Sequence, residues 1–190
     1  AVAILVDDLS FPTRADANTL ESTLFLHEFK SGLDAYLDHR QGVPIASLEE
    51  LIAYNQRHAA QVMPWFGQEY LEQAAATHGI GDLDYQNARQ RLRQLTREQG
   101  IDALLTEHRL DALIAPTTGP AWKTDWLNGG NYLGGSAGMA AMAGYPNISL
   151  PMGQVHGLPV GLSIFGTAWS EARLIALAYA FEQRAHARKP

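Results

Sequence analysis

Gly134-Gly135-Ser136-Ala137-Gly138 holds the most chemical promise in this sequence, because G-x-S-x-G is the pattern that raises a serine hydroxyl on a sharp turn for attack on a carbonyl. A serine hydroxyl attacks only after a base has taken its proton, and the oxyanion that results needs N–H donors. The elbow also requires a strand directly before the serine. Here Asp125 to Leu133 carries Asn128, Gly129, Gly130 and Asn131 and reads as a loop. Chain order fails too: no Asp follows Asp125, Glu171 follows His156 instead of preceding it, and only His186 comes after Glu171. Ser136 is therefore read as the cap of a small-residue helix, 137 to 143, a role that suits serine.

The remaining reactive side chains form weaker patterns. The seven histidines include no H-E-x-x-H and no i, i+4 pair, so they are read as surface or hydrogen-bonded residues, and no metal site is assigned. Glu28 and Lys30 are too close in sequence to face each other on a helix, and Lys123 falls in a loop beside Trp122. The segment with binding potential is Thr117 to Tyr132, which follows an expected strand end. Trp122, Trp126, Asn131 and Tyr132 are its candidate substrate-contacting residues. Two readings stay open there: a pocket wall, or aromatic anchors for a long loop.

Positioning these groups requires an ordered scaffold, and the apolar spacing supplies one. From about Asn18, apolar residues recur at Leu20, Leu24, Leu26, Phe29, Leu33, Tyr36 and Leu37 with helical spacing, up to a stop near Gly42. Ser47 with Glu50 is a capping-box pattern that starts a helix from 48 to about 60. Pro64 to Phe66 interrupts it. A shorter helix around Glu69 to Thr77 ends at Gly79, and Asp84 opens a longer one with Tyr85, Ala88, Leu92 and Leu95 on one face.

Strands are expected at Val2 to Val6, at Asp111 to Pro116 in a sheet covered on both faces, and in the segments starting at Ile148 and Leu158. The last two, separated by Gly153 to Gly157, read as an antiparallel pair. Gly144 and Gly157 suit positions that need positive φ. Ser170 and Glu171 start a final helix with Leu174, Ile175, Leu177, Ala178 and Phe181 on one stripe. The expected whole is one α/β unit over 1–190, helix-rich in 1–108 with a strand and helix core in 109–187. Its mixed sheet has about four strands, covered by helices.

Composition limits the partners. With 14 Lys and Arg against 20 Asp and Glu, the net charge of -6 gives no positive field to hold a phosphate backbone, so nucleic acid is excluded. No apolar run approaches the roughly 18 to 20 residues of a membrane span. There are no cysteines, hence no disulfide, thiolate metal site or Cys nucleophile. The sequence opens at Ala1, without Met and inside an apolar stretch, and reads as a chain entered midway.

Three motifs then fall together: DALIAPT at 111 to 117, the Gly/Ala-rich AGMAAMAGYPNISLPMG, and GLPVGLSIFG followed by a closing helix with AYAFEQ. In order and spacing they resemble the end of amidase-signature enzymes, peptide-amidase-like members above all. HEFKSGLDAYL at 27 to 37, SLEELIAYNQ and PWFGQE at 64 to 69 extend the resemblance over essentially the whole chain. It implies the carboxy-terminal part of a larger fold with a mixed sheet of many strands. It also implies a parent that hydrolyses carboxamides with a Lys, a serine in a cis peptide and a nucleophilic serine. Those residues belong to the family's amino-terminal half. Gly134-Gly135-Ser136 does not replace them, since Ala137 stands where the relay serine would be.

The resemblance thus implies no catalytic residue in this chain and no cofactor, with a small amide or peptide amide as the parent's substrate. The rival reading is a non-catalytic module that self-associates. A strand at 2 to 6 without its neighbours would expose unpaired backbone groups and an apolar face to a second copy.

Overall fold

The computed structural model describes residues 3–188, and their contacts group into two compact units. One unit is Asn18–Arg91; among the described residues the other combines 3–17 with 92–188.

The 18–91 unit is helical. Helix α1 spans Arg14–Asp38, α2 Leu48–Arg57, α3 Ala59–Val62 and α4 Glu69–Ala75, followed by a 3-10 turn at Gly79–Gly81. The start of α2 is specified by side chains. Ser47 Oγ accepts from Glu50 N at 3.2 Å, while Glu50 Oε2 accepts from Ala46 N at 2.7 Å, one residue earlier than in the standard box. Leu48, the first helical residue, is fully buried, and its N–H donates to Asp34 Oδ1 at 2.8 Å, which fixes α2 on α1. Gln68 is buried between α2 and α4, accepting from Asn55 Nδ2 at 3.2 Å and donating to Ile52 O at 3.3 Å. Pro64 falls in the break after α3, as its missing N–H demands.

Helix α5, Leu83–Thr96, buries the expected Tyr85, Ala88, Leu92 and Leu95. It continues into one π turn, Arg97–Ile101, before α6, Asp102–Glu107. The π turn brings Gly100 so close to the preceding helix that an added Cβ would stand 2.7 Å from Leu95 O and 3.2 Å from Met139 Cε. Only glycine fits that close approach.

The second unit is built on a sheet of β1 (Leu113–Pro116), β2 (Asn147–Val155) and β3 (Leu158–Phe165) in the order β1-β3-β2. β2 and β3 form the expected antiparallel hairpin, turning at His156 and Gly157, both with positive φ, and shifting register between Pro151 and Gly153. Register pairs Ala115 with Ser163 and Ser149 with Ser163, so the three residues share one face. On that face Leu113 and Phe165 pack with Ile101 and with Met139, Ala140 and Ala143 of α7, Ala137–Ala143. The opposite face, with Leu150, Leu162 and Ile164, packs on Leu174 and Ala178 of α8, Glu171–Ala185. The sheet is thus covered on both faces, as the apolar run at 111–116 implies.

Four expectations change. Among the described residues the sheet has three strands instead of about four, and every pairing is antiparallel rather than mixed. The fourth strand, expected at 2 to 6, is absent over residues 3–6, with Val2 outside the described residues. Ile4 is 90 % exposed. β-branched residues make a strand only where a neighbour pairs with it, and this segment has none.

Ser136 occupies the N-cap position of α7, but its side chain caps nothing, because φ -102 and ψ -6 leave the extended region in which a capping hydroxyl reaches back. The stripe of α8 is narrower than its apolar sequence: Leu174 and Ala178 are buried and Phe181 partly so, whereas Ile175 is 59 % exposed. Gly144, by contrast, has the expected positive φ at the end of α7.

Candidate functional site

The 117–136 segment is a loop closed at its base. Thr118 and Gly135 form an antiparallel bridge, Thr118 Oγ1 donates to Gly134 O at 3.1 Å, and Ser136 N donates to Thr117 O at 3.1 Å. Arg14 adds a hydrogen bond from its guanidinium to Gly135 O at 3.1 Å. With its ends tied together, the intervening chain is presented as one surface feature.

Inside the loop, Asp125 organises a turn. Its Oδ1 accepts from Leu127 N at 2.9 Å and Asn128 N at 3.0 Å, and its Oδ2 accepts from Asn128 Nδ2 at 2.8 Å. The Asn128 side chain, then the backbone N–H groups, hold the Asp125 carboxyl below its usual range. Of the four candidate residues, Trp122 and Tyr132 are brought together, their ring centroids 6.1 Å apart in an edge arrangement. Trp126 lies in the Asp125 turn, and Asn131 is exposed in the strand-free stretch that follows. All four are exposed.

At the root of the loop lies a hydroxyl cluster that sequence reading missed. Thr117 Oγ1 is 2.7 Å from Ser149 Oγ and 3.0 Å from Ser163 Oγ. Ser163 is 1 % exposed and Ser149 is open to solvent. The available signal was parity: Ser149 and Ser163 occupy in-strand positions on the face that carries Phe165 and Leu113, where an apolar residue is the usual choice.

Several of the other reactive residues have structural partners. Lys30 Nζ pairs with the Glu49 carboxylate and donates to Ala75 O at 3.3 Å, while Glu28 Oε1 accepts from Tyr85 Oη at 2.7 Å. His27, His39 and His58 each place Nδ1 within 2.9 Å of a backbone carbonyl, which makes that nitrogen the donor. Among the described residues no group of three His, Cys, Asp or Glu side chains is arranged to hold a metal, and no helix is long and apolar enough to cross a membrane. Lys123 is exposed in the loop. Ser136 Oγ is buried and makes no hydrogen bond, so no base touches it.

The family profile described as Amidase matches residues 53–175, well over half of the sequence. The chain belongs to the amidase family. A "Probable amidase" of Arabidopsis thaliana is 35 % identical over 99 % of this chain, which covers 34 % of that protein. Among solved structures, native peptide amidase from Stenotrophomonas maltophilia is 48 % identical with a TM-score of 0.86, over 96 % of this chain and 36 % of its own. An amidase family protein from Bacillus anthracis is 27 % identical with a TM-score of 0.75, over 99 % and 33 %. This amidase chain therefore has a peptide-amidase-like fold and spans about a third of the length of the relatives it matches.

Proposed function

We propose that this chain is one part of a hydrolase of carboxamide C–N bonds whose attacking residues lie outside these 190 positions. One observation carries the reading: likeness to a peptide amidase extends over 96 % of this chain but only 36 % of that enzyme. Amide hydrolysis needs an activated hydroxyl, and the one serine here in a nucleophile-like motif, Ser136, has a hydroxyl with no hydrogen-bond partner. In this reading the Lys and the two serines of the amidase signature come from the remaining two thirds of the fold. The present chain contributes sheet, covering helices and a pocket wall of Trp122, Trp126, Asn131 and Tyr132. The substrate is a small amide or peptide amide. In support, a peptide amidase 50 % identical to this chain has been solved with the competitive inhibitor chymostatin. No cofactor or nucleic acid takes part.

A chimera tests the reading. The part of Stenotrophomonas maltophilia peptide amidase that this chain does not match is joined to residues 1–190, and ammonia release from a peptide amide is measured. Turnover is expected, and a folded chimera without turnover counts against the reading.

A second reading, self-association, draws on the exposed Ile4, Leu5 and Val6 and on Ile114, half exposed on edge strand β1. Light scattering on the isolated chain is then expected to show dimers or larger species. A monodisperse monomer removes this reading.

A further inference from the structure

We infer that Thr117, Ser149 and Ser163 form a hydrogen-bonding subsite for the carbonyl oxygen of a neutral carboxamide, with Ser149 as the donor that meets it. The choice of ligand rests on the amidase reading; the subsite itself rests on proton counting.

Three hydroxyls carry three protons, and two hydrogen bonds join them, at 2.7 Å and 3.0 Å. One O–H proton is left over. Ser163 is buried and has Thr117 as its partner, so burial without a bond is avoided when it donates to Thr117 Oγ1. Thr117 then donates to Ser149, and the spare proton belongs to Ser149, the most exposed member of the trio. Each bond in such a chain polarises the next, which makes the terminal O–H a better donor than an isolated serine.

Space at the cluster is reserved. A Cβ on Gly161 would stand 2.8 Å from Thr117 Oγ1 and 2.9 Å from Ser149 Oγ, so glycine allows the two hydroxyls to close over the strand. Thr117 N is held by Gly161 O at 2.7 Å, which fixes the middle member of the chain. The same sheet face is apolar at its other end, where Leu113 and Phe165 meet α7. Polarity is thus confined to the end where the aromatic loop is rooted. Among the described residues no charged side chain bonds to the trio, which suits an uncharged acceptor better than a carboxylate.

The test is an ¹H–¹⁵N titration of the whole chain with propionamide, and with propionate as the charged counterpart. Propionamide is expected to move the amide resonances of Thr117, Ser149, Gly161 and Ser163 along one saturable curve. Ser149→Ala should weaken that binding about three- to tenfold, the worth of one hydrogen bond. Thr117→Val should do the same by breaking the chain, and Thr117→Ser should restore it. The inference is overturned if no shifts occur, if they map elsewhere, if they persist in Ser149→Ala, or if propionate binds as well as propionamide. In an active chimera, Ser149→Ala should raise KM more than it lowers kcat. Unchanged KM there overturns the subsite and leaves the amidase reading intact. An inactive chimera counts against the amidase reading, and the titration still decides the subsite.

Discussion

Tyr145 illustrates how single groups set local stability in this chain. Its hydroxyl donates to Asp102 Oδ2 at 2.7 Å, and its ring lies 5.2 Å from the Arg97 guanidinium carbon, which itself serves Ala143 O through Nε at 2.7 Å. Burial first, and then the bond to Asp102, push the phenol above its usual pKa. Asp102 Oδ1 already lacks a partner, so Tyr145→Phe would strip the carboxylate of its remaining side-chain donor. A loss of about 1 to 3 kcal/mol is expected, read from urea unfolding midpoints.

Asp125 behaves in the opposite sense. Its folded pKa lies below the ordinary value, so its contribution to the loop turn is complete above that value and is lost as pH falls through the lowered one. The Asn128 side-chain NH₂ resonances should therefore shift with a midpoint below the ordinary Asp value. A shift centred at or above the ordinary value would contradict the geometry. At Ser136, an isolated hydroxyl without a base should be inert. The chain alone is expected to show no turnover of simple carboxamides or p-nitroanilides, and turnover abolished by Ser136→Ala would contradict that assignment.

At the scale of elements, the π turn is a tight backbone constraint. Gly100→Ala would force a methyl against Leu95 O, and overpacking of this kind is expected to cost about 1 to 3 kcal/mol, seen as a lower Tm. An unchanged Tm would mean that the turn relaxes freely.

Elements whose signals are local were legible in the sequence. Ser47 and Glu50 lie within one turn of each other, His156-Gly157 closes a hairpin between adjacent strands, and Pro64 breaks a helix by its own chemistry. What failed depends on context that residue types alone do not carry. Residues 3–6 have strand-forming side chains but no strand beside them, and Ser136 has capping chemistry but the wrong backbone angles. The hydroxyl cluster went unread because its members are far apart in sequence. Thr117 lies 32 residues from Ser149 and 46 from Ser163, and only the sheet register brings them together.

At the scale of the whole molecule, each compact unit carries its own polar and apolar logic. In 18–91, side chains such as Asp34, Gln68 and His27 tie helices together by bonding backbone groups. In the unit that holds the sheet, two apolar clusters cover its faces and leave polarity at one end, beneath the loop that carries Trp122 and Tyr132. Such a scaffold can position a substrate, whereas cleaving an amide requires an activated nucleophile to be supplied. Ammonia release from a peptide amide, compared between the isolated chain and its chimera with the unmatched part of the Stenotrophomonas maltophilia peptide amidase, tests this division directly. The expected result is turnover by the chimera alone. Turnover by the isolated chain, or none by a folded chimera, would contradict it.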